Sequence, residues 1–480
     1  MKNNRSLSRP RSAALAVITA LSLSACATLP SVDLTKQSNQ ADLKNTTQSF
    51  AAPQTEWPQD RWWTSYQDVQ LTQLIEEALD NSPDMAIADA RLKQAEAAQG
   101  VIRSAELPQS RASASATSQR QSNNYLFPKA LVPQGWNGYG NAAIDFSWEI
   151  DFWGKNRAAL AASTSKLNAA RAETAQARLT LASAIASQYA ELARLFAARE
   201  TALQAIQVRS KTEQLFTERY EHGLENQHKV REAEANRLQA EAELLQIDEN
   251  ISILRHRLAA LGGNGPDRGL LIERPKVTLD RAFGLPEKLA LELLGRRPDI
   301  VAARLQVEAQ LKHTEQKKAE FYPNVNLSAF IGLQSYGLSK LPESNSTVGS
   351  VGPVISLPIF NGGRLRSELR YSIAQYDEAV ANYQRTIQLS LQEVADAINN
   401  QASQTARVEK ASRSVAAMQQ AYRIVNERYL GGLSNYIEVL HAEDALLNAQ
   451  KSLTDLQARA FTLDVAMIHA LGGGYIAQAN

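Results

Sequence analysis

The chain has 480 residues, with 51 basic against 50 acidic side chains and a single cysteine. That length suffices for two or three ordinary domains. A net charge of +1 with no long run of like charges leaves no electrostatic footprint for nucleic acid, and one cysteine excludes an internal disulfide scaffold and a thiolate zinc site.

The chain opens with Lys2, Arg5, Arg9 and Arg11, followed by a short apolar run from Ala13 to Leu23. At about 11 residues the run is too short for a bilayer helix, which needs ~20, so residues 1–25 read as an export signal. Leu23-Ser24-Ala25-Cys26 resembles the lipobox of bacterial lipoproteins, in which the cysteine becomes the acylated first residue of the mature chain. Cys26 is therefore the expected lipidation site, a covalent lipid such as palmitate being the one attached group. Ala27 stands where lipoproteins kept at the inner membrane usually carry Asp, which implies sorting to the outer membrane. Residues 26–56, rich in Ser, Thr, Gln, Asn and Ala, read as a flexible tether.

From residue 57 a helix is predicted, then two strands. The first, over about 109–120, rests on a weak alternation of Ala with Arg, Ser and Thr between Arg111 and Ser118. The second, over about 141–152, is clear: in Ile144-Asp145-Phe146-Ser147-Trp148-Glu149-Ile150-Asp151-Phe152 every even position is large and apolar and every odd one polar or acidic. Lys155 to His222 and Leu224 to Leu261 then contain neither Gly nor Pro and are rich in Ala, Leu, Gln, Glu and Arg, the strongest helix formers. Neither holds ~18 consecutive apolar residues, so these are not membrane helices. Ile185, Tyr189, Leu192, Phe196, Leu203 and Ile206 step as a coiled-coil seam. After a linker at 266–285 the order recurs: a helix, a strand near 323–334 with Val325, Leu327 and Ala329 alternating, and a strand near 348–360 with Val351, Pro353, Ile355, Leu357 and Ile359 on one face. Two more breaker-free stretches follow, Arg364 to Leu430 and Leu433 to Leu471.

The recurrence is a duplication. Pro83-Asp84 matches Pro298-Asp299 and Pro108 matches Pro323 at an offset of 215; Ile150, Gly154 and Arg157 match Ile359, Gly363 and Arg366 at 209. Over residues 218–235, nine of eighteen positions are identical to those 209 further on. The copies run over 57–265 and 286–475, with a tail at 476–480. Gly223 and Gly432 fall where each long helix must end and reverse, so each copy holds an antiparallel helical hairpin with its tip near 223 or 432.

Strands of 9–11 residues with one apolar face, joined by long polar loops, fit a transmembrane β-barrel, although a soluble sheet with one wet face has the same pattern. Four tilted strands cannot close a barrel alone, and open edges in lipid leave backbone groups unsatisfied. Self-association answers this, three copies giving twelve strands. The expected fold is mainly α with a small transmembrane β part: a trimeric 12-stranded β-barrel, four strands per chain, continued by a long α-helical coiled-coil barrel. At ~1.5 Å per residue the longest helices reach about 100 Å, and a pore continued by such a tube is a conduit.

Trp57-Pro58 with Trp62-Trp63, Gly295-Arg296-Arg297-Pro298-Asp299-Ile300, Phe321-Tyr322-Pro323, Pro358-Ile359-Phe360-Asn361-Gly362-Gly363, Arg428-Tyr429 with Gly432, and Ala470-Leu471-Gly472-Gly473-Gly474 together resemble the TolC-type outer-membrane factors, nearest their lipidated drug-efflux branch. The resemblance covers residues 57–475. It implies a homotrimer in outer-membrane lipid that crosses the periplasm and meets a periplasmic adaptor (membrane fusion) protein connected to an inner-membrane pump. It also implies adaptor contacts at the hairpin tips, Gly223, Leu224, Asn226, Gly432, Leu433 and Asn435. A periplasmic gate is implied on the helix after the second tip, at Ile437, His441 and Asp444, where His441 departs from the usual aspartate. In the barrel, Asp145, Glu149 and Asp151 are expected to face the lumen, giving a mild cation preference over three copies.

No metal or catalytic motif competes. The six histidines include no His-x-x-x-His pair, and there is no Walker A, G-x-S-x-G or G-x-G-x-x-G. The reading is a passive exit duct of a tripartite efflux system for small molecules such as drugs. Type I protein secretion, metal efflux, and a poreless lipid-anchored periplasmic coiled-coil adaptor stand as alternatives.

Overall fold

The computed structural model describes residues 50, 54–122, 124, 128–277, 285–286 and 289–477. The expected export signal, Cys26, most of the tether, part of the 266–285 linker and the last three residues of the tail lie outside the described residues. A 3-10 turn at Trp62–Tyr66 leads into α1 (Val69–Asn81), α2 (Pro83–Ser104), β1 (Gln109–Gln119), β2 (Asn137–Ile150), α3 (Lys155–Glu221) and α4 (Gln227–Leu261). A short helix α5 (Asp267–Leu270) precedes α6 (Leu289–Arg296), α7 (Pro298–Ala319), β3 (Asn324–Tyr336), β4 (Thr347–Ser356), α8 (Arg364–Leu430) and α9 (Tyr436–Ala470).

The duplication is written in the helix lengths. α2 and α7 have 22 residues each, α3 and α8 have 67, and α4 and α9 have 35. The single helix expected before each strand pair is two. Pro83 and Pro298 take the first position of α2 and α7, where a missing N–H costs nothing. Ser82, ahead of Pro83, is pushed to an extended φ/ψ of −66°/134°, which separates α2 from α1.

Residues Lys93–Ala169 with Arg304–Asn382 form one compact unit; the described parts of Ser38–Leu92, Ala170–Ala303 and Tyr383–Asn480 form a second. Each unit draws on both copies, so the repeat is a unit of sequence rather than of packing.

The first unit holds one antiparallel sheet in the order β1-β2-β3-β4. Gln109 lies opposite Ser147, Ser147 opposite Ser328, and Ser328 opposite Gly352. The register puts Ile144, Phe146 and Trp148 on one face with Leu327, Ile331, Val351, Pro353 and Ile355, beside Ala112, Ala114 and Ala116 of β1. Ile144, Phe146, Ile331, Val351 and Ile355 are exposed there. β1 and β4 are the two edges.

The second unit has the larger core. Trp62, Trp63 and Tyr66 pack with Leu71 and Ile75 of α1, Ile185, Tyr189 and Leu192 of α3, and Phe461 of α9. The seam predicted on α3 holds as far as Phe196 and then moves: Ala202 is buried and Leu203 exposed, since a strict seven-residue step drifts around a helix of 3.6 residues per turn. Asp68 caps α1, accepting from Leu71 N at 3.0 Å, and its other oxygen accepts from the Tyr189 hydroxyl at 2.9 Å and Lys276 N at 2.8 Å.

Arg297, 4% exposed, ties three elements together. Its guanidinium donates to both carboxylate oxygens of Asp299 (3.1 and 2.7 Å), to Glu393 of α8 (2.7 Å) and to the carbonyl of Ala470 at the end of α9 (3.0 Å). Burial opposes its charge, but Asp299 and Glu393 outweigh that and raise its pKa. The same geometry leaves Gly472 pressed on the carbonyl of Arg296, as Gly263 presses on that of Asn81 in the first copy; at both, a Cβ would collide with the backbone.

Replacing Arg297 with Met leaves two carboxylates without their buried partner. The expected cost is about 3–5 kcal/mol, read as a fall in the thermal midpoint of the detergent-solubilised protein by circular dichroism. Arg297→Met, Glu393→Gln should recover part of it. An unchanged midpoint in the single variant contradicts the account.

Candidate functional site

Both hairpin tips are built the same way. The long helices end in Gly223 at φ +70° and Gly432 at φ +72°, a region that side chains with a Cβ enter only with strain. Leu224 N donates to Arg219 O and Leu433 N to Arg428 O, each at 2.8 Å, closing the exposed ends of α3 and α8 in a Schellman arrangement. Asn226 and Asn435 then cap α4 and α9, their side chains accepting from Lys229 N (3.2 Å) and Glu438 N (3.1 Å). Leu224 and Leu433 stand out in solvent. Six expected tip residues thus form two matched, solvent-facing corners.

The corners differ in what lies beneath them. Tyr429 of α8 is buried while its counterpart Tyr220 is 45% exposed. Tyr429 packs with Phe216 and Tyr436 and donates its hydroxyl to Glu225 of the first tip at 3.0 Å. Arg219 lies over the Tyr429 ring and Lys229 over that of Tyr436. Burial and the Glu225 carboxylate push the Tyr429 hydroxyl up to about 12. All of these contacts but Tyr429–Tyr436 need one residue from each hairpin, so the tips are fastened together.

Ile437, His441 and Asp444 share one stripe of α9, four and three residues apart, and all three are exposed. Asp444 is held from α3, accepting from Arg209 Nη2 at 3.1 Å. The same guanidinium donates to Asn236 O of α4 at 2.7 Å and lies 3.9 Å from Glu443, which is 2% exposed. Burial pushes the Glu443 carboxyl up, Asp444 adds to this, and Arg209 and the Thr212 hydroxyl only partly oppose them. Tyr422 and Tyr436 also face it and are themselves raised, first by their own burial. Beside this cluster runs a cavity of about 220 Å³ between α3, α4 and α9, with Ala202, Ala205 and Ala240 among its walls.

In the sheet unit, Asp145 lies on the wet face of β2 directly opposite Arg111 of β1. Glu149 is ion-paired with Lys155 at 2.5 Å. Asp151 lies just past the end of β2, accepting from the backbone N of Arg157 at 2.9 Å and from its Nε at 3.4 Å. Glu149 and Asp151 thus each have a cation at ion-pair distance, and Arg111 stands opposite Asp145 on the neighbouring strand. Cys26 lies outside the described residues.

Sequence reasoning missed Arg209, Glu443 and the Tyr429–Glu225 contact. A usable signal was present where the copies disagree: Arg209 corresponds to Met418, Asp444 to Ala235 and Glu225 to Ser434. Among the described residues no group of three or more His, Cys, Asp or Glu side chains could hold a metal, and no helix is long and apolar enough to cross a membrane.

A family model described as outer membrane efflux protein matches the chain twice, over residues 74–264 and 289–473, one span within each copy of the repeat. The fusaric acid resistance protein FusA of Burkholderia cepacia is 35% identical over 319 residues, 65% of this chain, and the chain spans 59% of that protein's length. The multidrug resistance outer membrane protein MdtQ of Escherichia coli O157:H7 is 31% identical over 432 residues, covering 87% of this chain and 89% of MdtQ. Among solved structures, the outer membrane protein VceC of Vibrio cholerae is similar with a TM-score of 0.83 and 46% identity, covering 87% of this chain and all of that one.

The raised Glu443 carboxyl sets a pH signature. The fold keeps its proton where the unfolded chain has lost it, so this stability is complete below the ordinary value of 4.5 and lost as pH rises through the raised one. Glu443→Gln is expected to gain stability at pH 7, the gain shrinking towards pH 4.5. Thermal midpoints of both proteins across that range check this, and a gain independent of pH contradicts it.

Proposed function

The chain belongs to the outer membrane efflux protein family, and on that premise we propose that three copies close into a duct, a twelve-stranded barrel in the outer membrane continued by their helices across the periplasm. The observation that carries this reading is the four-stranded sheet, with an exposed apolar face and two unpaired edges. In lipid those edges leave N–H and C=O groups unsatisfied, so neighbours must supply strands. Two copies would make eight strands, whose interior side chains fill; three copies are the smallest ring with an open bore.

Relatives named for fusaric acid and multidrug resistance support small organic molecules as cargo. The duct moves cargo rather than transforming it. A periplasmic adaptor seats on the two exposed corners, around Leu224 and Leu433, with an inner-membrane pump behind it. Lipid on Cys26 fastens the mature N-terminus to the outer membrane. Where three copies converge, Ile437, His441 and Asp444 line the narrowing, and the Arg209–Asp444 and Tyr429–Glu225 contacts hold it shut.

The native mass of the detergent-solubilised mature protein should equal three chains plus lipid; a monomer overturns the duct. In planar bilayers, Arg209→Ala and Tyr429→Phe should each raise single-channel conductance; conductance equal to wild type in both variants rejects these contacts as what holds the narrowing shut.

A further inference from the structure

The duct reading requires β4 of one copy to meet β1 of the next, and the duplication specifies how. The two offsets hold rung by rung. Adding 215 to β1 and 209 to β2 turns Gln109↔Ser147 into Asn324↔Ser356, the register observed between β3 and β4, and turns Ala116↔Gly140 into Ile331↔Gly349, also observed. The remaining ladder, β2 with β3, joins the first copy of the repeat to the second. Its image under the same offsets joins the second copy to the first copy of the next chain: β2 becomes β4, and β3 becomes the neighbour's β1.

We propose that β4 pairs antiparallel with β1 of a second copy of this chain in the register that this image dictates. It rests on the closed-ring reading. Ser147↔Ser328 becomes Ser356 opposite Ser113, Ala329↔Phe146 becomes Ile355 opposite Ala114, and Asp145↔Phe330 becomes Val354 opposite Ser115. The ladder runs up to Ser350 opposite Gln119. Downward, Ile150↔Val325 maps to Ile359 opposite Ser110, so β4 gains pairing beyond Ser356 once the neighbour is present.

Two observations outside the offsets agree. The first is facing: Val351, Pro353 and Ile355 meet Ser118, Ala116 and Ala114, the β1 residues that share a face with Ile144, so the apolar face crosses the seam unbroken. A slip of one residue would turn it against Ser113, Ser115 and Thr117 of the wet face. The second is size, since bulky β4 side chains meet the Ala-rich edge. Pro353 has no N–H, so the ladders on β4 lose a single donor there.

Disulfide trapping tests the register. Cys26 is the chain's only cysteine, so single-cysteine variants control for links through it and for folding. Adjacent rungs alternate between wide and narrow spacings, both within disulfide reach. In outer membranes under mild oxidation, Val354→Cys with Ser115→Cys, and Ile355→Cys with Ala114→Cys, should give reductant-sensitive oligomers of up to three chains. Val354→Cys with Ser113→Cys or Thr117→Cys, slipped by two residues on the same face, should give about a tenth of that yield or less. Slipped pairs that link as well as the matched ones, or no link in any pair while the wild type runs as a trimer, overturn the register and leave the duct standing. A monomeric wild type overturns both.

Discussion

Unmet backbone hydrogen bonds at the edges of one sheet govern much of this molecule. A polar group left unpaired in lipid costs several kcal/mol, and β1 and β4 each present a row of them. A chain contributing four strands must therefore be a fraction of something closed, and every copy must be identical in strand length, register and facing. Duplication meets that demand economically, because two copies of one helix-strand-strand-hairpin unit repeat the same strand register on long helices of equal length. The 67- and 35-residue helices recur without a residue gained or lost. The change in offset from 215 to 209 falls between the two strands of a pair, in loops that need not match.

Within that near-symmetry, function sits where the copies depart from each other. Tyr429 and the Arg209–Asp444 pair join elements of one copy to elements of the other, Arg297 joins three elements of the second copy, and none has its counterpart in the partner repeat: the equivalents are the exposed Tyr220, Met418 with Ala235, and Ser82. The symmetric parts repeat; the asymmetric contacts fasten one hairpin to the other. The buried Glu443 belongs to the second class, a carboxyl kept beside its guanidinium at the expense of stability near neutral pH.

Much of this was legible in residue order. Alternation along Ile144–Phe152 predicted the facing of β2, and glycine punctuation predicted both hairpin tips, because strand pleat and left-handed turns are local properties. The faint pattern at Arg111–Ser118 became β1 because its place in the repeat demanded a strand. Less accessible were features set by rotation about a helix axis. Leu203 was read into a seam from which it points away, and Arg209 was passed over although it bridges to residues more than 230 positions distant. The three acidic residues of the sheet region were legible as wet, but the cations near them, Arg111 opposite Asp145 across the ladder and Lys155 and Arg157 on the following turn, emerged only from register and turn geometry.

The stagger of the rungs has a geometric consequence. Gln109, Ser147 and Ser328 lie abreast, and Ser328 is the repeat counterpart of Ser113, so each pair of strands climbs four residues as the sheet is crossed. With about 3.3 Å per residue and about 4.8 Å between strands, strands in a ring lean by roughly 54° from its axis, and twelve of them enclose a backbone radius of about 16 Å. Once inward side chains are allowed for, the axis lies roughly 10 Å from the wall, beyond the ~8 Å over which charge is felt in physiological salt. Such a sleeve cannot sort what passes through it by charge, and it cannot seal.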